Sequence, residues 1–247
     1  MTQPTNSRQA GFTLVELAIV MIIIGLLIGG ILKGQELITN ARVTASVNQA
    51  KGVDAALSTF FDQYAGMPGD ILTPTTRIPG CGAALCATAG NGNGRIGGNA
   101  AEVDPTLAPT GGSEGAASFV QLAAAGILGG ADASLGAYAA GAVPDFKMGG
   151  GKLALGYSNG TGANTRLGLT QGHYVTTVAN PTSALNAVGL ITPKNAANID
   201  RKLDDGLPNV GSVRAGTAAA CALGTAADPY LEAGNAASCN LAIRVQQ

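Results

Sequence analysis

Glu16 is the residue with the clearest chemistry, because it is the only charged side chain between Phe12 and Leu32. A carboxylate near the start of an apolar, membrane-spanning helix is costly unless a partner neutralises it. One interpretation is that Glu16 reaches the lipid headgroups, since it lies about one helical turn from Phe12. The other is that its partner arrives only on assembly. A free amino group, made by cleavage before Phe12 on a neighbouring chain, would be such a partner.

Three aspartates, Asp200, Asp204 and Asp205, form a second candidate site, because clustered carboxylates bind calcium. The alternative is local turn chemistry. In that case Asp205 and Gly206 form a tight turn, and Asp200 caps a short helix. The sequence favours the turn, so no cofactor is expected. Calcium at these three aspartates is the one alternative.

The stretch Gly92–Gly97 formally matches the nucleotide-binding pattern G-x-G-x-x-G. That fingerprint requires a strand before it and a helix after it, and neither flank fits. As a calcium loop it would place Asn91 and Asn93 at the third and fifth ligand positions. Ala89 and Ala100 then occupy the first and twelfth positions, where oxygen ligands are needed. We therefore predict a glycine-rich turn.

Gly156–Gly160 matches the nucleophile motif G-x-S-x-G around Ser158, and His173 is the only histidine of the chain. A hydrolase of this type needs a helix after the serine and an acidic residue between serine and histidine. Gly160-Thr161-Gly162 is a poor helix start, and no acid lies between Ser158 and His173. The motif is better explained by a turn after a strand, so we do not expect an enzyme.

The four cysteines, Cys81, Cys86, Cys221 and Cys239, allow three disulfide connectivities. Local pairing, Cys81 with Cys86 and Cys221 with Cys239, closes the smallest loops and is favoured. A zinc site using all four is the rival, but neither pair has the C-x2-C spacing common in structural zinc sites. Disulfides require an oxidising compartment.

The amino-acid composition argues against one class of partner and limits the kind of core. The chain has 14 Lys plus Arg against 15 Asp plus Glu. This balance supplies no basic face for nucleic acid, so no nucleic-acid partner is expected. Gly occurs 37 times and Trp not at all, so a folded domain buries few large aromatic side chains.

A few predicted helices and strands must position the candidate site residues. The apolar run 12–32 is long enough to span a bilayer as a helix, and no small-residue cleavage site follows it, so it is retained. Residues 33–64 continue with apolar side chains at helical spacing, and Gly66–Asp70 ends the helix. The apolar positions of this second half are Leu37, Ala41, Val47, Ala50, Val53, Leu57, Phe60, Phe61 and Tyr64.

Beyond Pro68 the composition shifts to Gly, Ala, Thr and Asn. Patterns predict short helices over 118–128 and 195–203 and strands over 152–157, 173–178 and 241–245. The expected fold is α+β: a long N-terminal helix packed on a small antiparallel sheet with long Gly- and Ala-rich loops.

Gly11-Phe12-Thr13-Leu14-Val15-Glu16, followed by the apolar helix, resembles the processing site of type IV prepilins and type II secretion pseudopilins. The resemblance implies cleavage after Gly11, methylation of the new N-terminal Phe12, and an assembly role for the Glu16 carboxylate. Many pilins carry a proline within this helix. Here there is none, and Gly29, Gly30 and Gly34 are the residues that lower helix propensity.

A second, weaker resemblance to a group of bacterial prepilin-type proteins covers Met67–Asp70, Gly92–Ile96, Glu114 with 119–128, and Ile199–Pro208. Together the two resemblances imply a leader at residues 1–11, a transmembrane or filament-core helix at 12–33, its amphipathic continuation at 34–65 and a surface domain at 66–247.

The implied function is a filament subunit, stored as a single-pass precursor in the bacterial inner membrane. It would then enter a cell-surface pilus or a periplasmic pseudopilus. Its partners would be further copies of itself, the prepilin peptidase and methyltransferase, and a pilus or type II secretion assembly machinery. A minor subunit or an adhesin with a binding domain is the alternative.

Overall fold

The computed structural model describes residues 13–82, 85–97, 113–160, 168–180, 189–216, 220–222 and 228–245. Gly11 and Phe12, the predicted processing residues, lie outside the described residues. The chain divides into two compact units, one ending at Ala41 and one beginning at Arg42. Helix α1, Leu14–Tyr64, contributes its first part to the first unit and its second part to the second.

The elements after α1 all belong to the second unit. They are α2 (Pro74–Arg77), α3 (Glu114–Ala124), a 3-10 turn (Ala140–Ala142), β1 (Lys152–Ser158), β2 (Gly172–Val178), α4 (Pro193–Leu203), β3 (Val213–Ala215) and β4 (Leu241–Val245). The strands form one antiparallel sheet in the order β1-β2-β4-β3. The predicted α+β class, with a long N-terminal helix and a small antiparallel sheet, is confirmed.

The first unit is an apolar helix whose side chains are exposed. It is long and apolar enough to cross a membrane, and none of its most apolar stretch is buried. Exposed side chains of this kind lose hydration only if lipid or another protein covers them. They include Leu14, Leu17, Met21, Ile24, Leu27, Ile31 and Leu32.

In the second unit, α1 buries one face against the domain. The buried side chains recur at steps of three and four, as one helical face requires. They are Val43, Val47, Ala50, Val53, Leu57, Phe60 and Tyr64. The predicted stripe was wrong at Leu37, Ala41 and Phe61, which are exposed. Phe60 and Phe61 are adjacent, about 100° apart around the helix, so only one of them can face the core.

Polar contacts fix the same part of α1 to its domain. The Gln49 side chain donates to the Asp145 carbonyl oxygen (2.7 Å) and accepts from the Lys147 N–H (3.2 Å). On α4, the Lys202 ammonium donates to the Thr44 hydroxyl (2.9 Å). At the end of α1, the Arg77 guanidinium donates to the Tyr64 carbonyl oxygen. These side chains set the position of α1 along the domain as well as its burial.

Helix α3 begins four residues before the predicted start at Ser118. The Ser113 hydroxyl accepts from the Ala116 N–H (3.2 Å) and caps the helix, while Ser118 lies inside it and donates to the Gly115 carbonyl oxygen (2.8 Å). The predicted range, 118–128, is therefore shifted by four residues at both ends relative to the observed helix, which ends at Ala124. Strand β3 was missed because three residues show no alternation.

Two disulfides close local loops in the second unit. Cys81 pairs with Cys86 and Cys221 with Cys239, at Cα–Cα distances of 5.3 and 5.1 Å. This is the connectivity that the smallest-loop argument favours, and all four cysteines are buried. With few aromatic side chains available, these bridges restrain long segments that carry little regular structure.

Candidate functional site

The first turn of α1 holds the Glu16 carboxylate in a fixed place. Glu16 Oε2 accepts hydrogen bonds from the Thr13 backbone N–H (2.9 Å) and from the Thr13 hydroxyl (2.8 Å). In return, the Glu16 N–H donates to Thr13 Oγ1 (3.3 Å). Thr13 and Glu16 therefore form a capping box, in which the first and fourth residues satisfy each other's backbone donors.

This arrangement gives Glu16 a partner that the sequence analysis did not consider. The pattern Thr-x-x-Glu is the sequence signature of a capping box and could have revealed it. The described bonds to the carboxylate all reach Oε2, and a carboxylate offers about four acceptor positions. The group can therefore cap its own helix and still accept a cationic donor. Glu16 lies four residues after Phe12 in the sequence, close to the predicted cleavage point.

A second organised region joins Asp70 to the glycine-rich loop. The Asp70 carboxylate accepts from the N–H groups of Gly92 (2.6 Å), Asn93 (3.2 Å) and Gly94 (2.6 Å). Glu114 accepts from the N–H groups at both ends of the loop, Asn91 (3.0 Å) and Gly97 (2.7 Å). The backbone amides that could bind phosphate or another anion are thus directed at the protein's own carboxylates.

The same region joins three segments that are distant from one another in the sequence. A Cβ at Gly69 would clash with the Glu114 carbonyl oxygen, and one at Gly90 would clash with the Asp70 backbone. The Gln121 side chain accepts from the Gly69 N–H (2.7 Å) and donates to the Cys86 carbonyl oxygen (3.1 Å). The turn after α1, the glycine-rich loop and α3 therefore form one hydrogen-bonded junction, which favours the turn interpretation of Gly92–Gly97.

His173 belongs to this junction and not to a catalytic dyad. Its Nε2 accepts from the Ile96 N–H (3.3 Å), and its ring meets Tyr157 edge-on at 5.1 Å. Burial lowers the His173 pKa to about 4, and nearby Arg95 lowers it further while Asp70 opposes the shift. Ser158 pairs with Gly172 in the sheet, so its side chain and that of His173 lie on opposite faces. Ser158 Oγ instead accepts from the Gly160 N–H (3.1 Å).

The three aspartates near α4 come together, with ligand oxygens within 4.8 Å of one another. Asp205 begins the predicted turn: its carboxylate accepts from the Leu207 N–H (2.8 Å), and Gly206 has φ +79°. Asp204 accepts from the N–H groups of Ser212 and Val213. One oxygen of each of the three carboxylates accepts a hydrogen bond from a backbone N–H. Calcium binding here stays a prediction.

Asp200 has a different role from the one predicted. It lies inside α4, whose N-cap is Thr192, so Asp200 does not cap the helix. It is fully buried and accepts from the Tyr230 hydroxyl (2.8 Å) and the Gly206 N–H (3.3 Å). Burial raises the Asp200 pKa to about 7, with smaller contributions from Asp205 and Asp204, while its two hydrogen bonds oppose the shift.

Comparison with known proteins identifies one segment. Residues 6–32 match the family model of the prokaryotic N-terminal methylation motif, the signature of type IV prepilins and pseudopilins. The matched segment includes Gly11, Phe12 and Glu16. Neither the curated proteins nor the solved structures give a match to the chain.

Proposed function

We propose that the chain is a structural subunit of a type IV pilus-like filament, stored in the membrane and polymerised through α1. The observation that supports this most strongly is that residues 14–32 of the matched motif lie on a helix whose apolar side chains are exposed throughout its first part. Such a surface needs lipid before assembly and neighbouring helices after it.

Assembly would begin with processing. Cleavage after Gly11 by the prepilin peptidase leaves a new amino group at Phe12, which the same enzyme system methylates. The leader carries away Arg8, the only basic residue before Lys33. In the filament interior the Glu16 carboxylate then needs a cation, and the Phe12 amine of an adjacent subunit supplies one. This charge pair sets the register of subunits, which apolar contacts alone leave undefined.

Close packing of the helices supports the same proposal. Gly25 and Gly29, like Gly30 and Gly34, are four residues apart, and apart from the neighbouring residues and the nearby helix backbone no described atom lies within 4 Å of a Cβ placed at these positions. Small residues at this spacing let neighbouring helices approach closely. The second unit, stapled by two disulfides, would form the filament surface in an oxidising space.

Replacing Glu16 tests the assembly role. In the membrane precursor Glu16→Ala removes only a helix cap, which is worth about 1 kcal/mol. The variant should therefore leave expression and membrane insertion intact and abolish filaments. Glu36→Ala is a matched control, because Glu36 is an exposed carboxylate of α1 that pairs with Lys33 outside the apolar run. Normal filaments from Glu16→Ala would defeat the proposed role.

A minor subunit or adhesin is the second candidate, and one cavity favours it. A cavity of about 1020 Å³ lies between the last turns of α1 and the end of the sheet. Its described lining combines Phe61, Asp62, Tyr157 and Arg244, which are apolar and charged groups suited to a polar ligand. If Arg244→Ala removed surface adhesion but left filament number unchanged, the binding role would be supported. Unchanged adhesion would exclude this cavity as its site.

A further inference from the structure

Three asparagines in the described chain are followed directly by glycine: Asn91, Asn93 and Asn159. This dipeptide undergoes a spontaneous reaction, since glycine offers no side chain to hinder it. The glycine nitrogen attacks the side-chain amide carbon of asparagine, and ammonia leaves. Water then opens the resulting succinimide to aspartate or isoaspartate. The rate in a folded protein depends on whether nitrogen and carbon can meet.

In the glycine-rich loop both attacking nitrogens are restrained. The N–H groups of Gly92 and Gly94 donate to opposite oxygens of the Asp70 carboxylate, each at 2.6 Å. Hydrogen bonds to a carboxylate are among the strong ones in proteins, and Asp70 is only 3% exposed. Each nitrogen must give up this bond before it can turn towards the neighbouring asparagine side chain.

The asparagine side chains of the loop are restrained as well. Asn91 Oδ1 accepts from the Asn93 N–H (3.0 Å), and Asn93 Oδ1 accepts from the Arg95 N–H (2.8 Å). Attack also requires the glycine nitrogen to lose its proton, and the nearby Asp70 and Glu114 carboxylates oppose the negative charge that forms there. The reaction at Asn91 and Asn93 is therefore disfavoured by the restrained nitrogen, by the restrained carbonyl group and by the surrounding charge.

Asn159 lies in a different setting. It is exposed and directly follows β1, and Gly160 has φ +76°. The Gly160 N–H donates to the neutral Ser158 hydroxyl at 3.1 Å, a weaker restraint than a carboxylate at 2.6 Å. A new carboxylate at Asn159 would face solvent. We propose that Asn159 is the site of spontaneous deamidation in this protein, and that Asp70 protects Asn91 and Asn93.

The test is to incubate purified, detergent-solubilised full-length protein in mildly alkaline buffer and quantify aspartate and isoaspartate at each site by peptide mass spectrometry. Asn159 should react at least about tenfold faster than Asn91 or Asn93, equivalent to about 1.4 kcal/mol of activation free energy. The same protein reduced and unfolded in urea is the control, and there the three rates should converge. Equal rates in the folded protein, or faster reaction in the loop, would overturn the proposal.

Two variants separate its parts. Asn159→Gln should remove the main product without changing the loop rates. Asp70→Asn should accelerate reaction at Asn93 towards its unfolded rate while leaving the Asn159 rate unchanged. Loop rates unaffected by Asp70→Asn would contradict the protective role. If this variant does not fold, the comparison of folded and unfolded wild-type protein still decides the order of the three sites.

Discussion

Thr13 and Glu16 exchange hydrogen bonds across the first turn of α1, so the one carboxylate of the apolar run is also part of a helix cap. The Glu16→Ala substitution alone therefore does not separate two functions of Glu16. Removing the side chain removes the cap together with the charge proposed to pair with a neighbouring amine. Variants that remove one and keep the other are needed.

Glu16→Gln keeps the cap and removes the charge, because glutamine also serves at this position of a capping box. Thr13→Val does the reverse: the side-chain cap is lost and the carboxylate remains. We expect Glu16→Gln to abolish filaments and Thr13→Val to retain them, because Thr13→Val affects only the fraying of the first turn. The measurement is filament counting by electron microscopy, with processed membrane protein quantified in parallel. The opposite order of effects would assign the function of Glu16 to the cap.

Asp200 should make the domain less stable as pH rises. The folded state holds the Asp200 proton up to about pH 7, whereas an unfolded aspartate releases it near 3.8. Protonation therefore favours folding, and the free energy of unfolding should fall between these pH values by an amount on the order of 4 kcal/mol. Asp200→Asn should remove this decline, since asparagine can still bond Tyr230 and the Gly206 N–H.

The check is chemical denaturation at a series of pH values, comparing wild type with Asp200→Asn. Asp205→Asn is the matched control: Asp205 is exposed and contributes only a small part of the Asp200 pKa shift, so this variant should change the slope much less than Asp200→Asn does. Equal slopes in wild type and Asp200→Asn would contradict the assignment. Repeating the series with calcium and with a chelator tests the calcium prediction at the same aspartates, since a bound ion would shift the curve.

His173 should make stability depend on pH in the opposite sense to Asp200. Its folded pKa of about 4 lies below the ordinary 6.5, so the unfolded state binds the proton more readily. Stability should therefore fall as pH drops from about 6.5 through about 4, by on the order of 3 kcal/mol. His173→Gln keeps an acceptor for the Ile96 N–H and should remove this acid sensitivity. The check is to compare the free energy of unfolding of wild type and His173→Gln over this pH range. An equal loss of stability at low pH in both proteins would refute the prediction.

The elements with strong local patterns could be predicted from the sequence. The apolar run, α1 and strand β4 could be predicted from side-chain spacing, because residues on one face recur about every 3.6 positions in a helix and every two positions in a strand. The disulfide pairing followed from loop size alone. Asp70 could not be identified in this way. Its partners lie more than twenty residues along the chain in a loop with no regular period, and only the packed fold directs their N–H groups at it.

The two disulfides should contribute unequally to stability. The Cys221–Cys239 bridge spans 18 residues and the Cys81–Cys86 bridge only five. A longer loop loses more unfolded-state entropy on cross-linking, so breaking the longer bridge should cost about 3 kcal/mol and the shorter one less. Paired Cys→Ala variants, measured by thermal unfolding, provide the comparison. A larger loss from the Cys81–Cys86 pair would show that local packing outweighs loop closure.

The most direct measurement is to shear surface filaments from cells, image them by electron microscopy and sequence their subunits by mass spectrometry. The proposed function predicts filaments that contain this chain, beginning at Phe12 with a methylated amino group. Bulky substitution at Gly11 should abolish those filaments and leave the full-length precursor in the membrane. Filaments without this chain, or a mature protein that still begins at Met1, would contradict the proposed function.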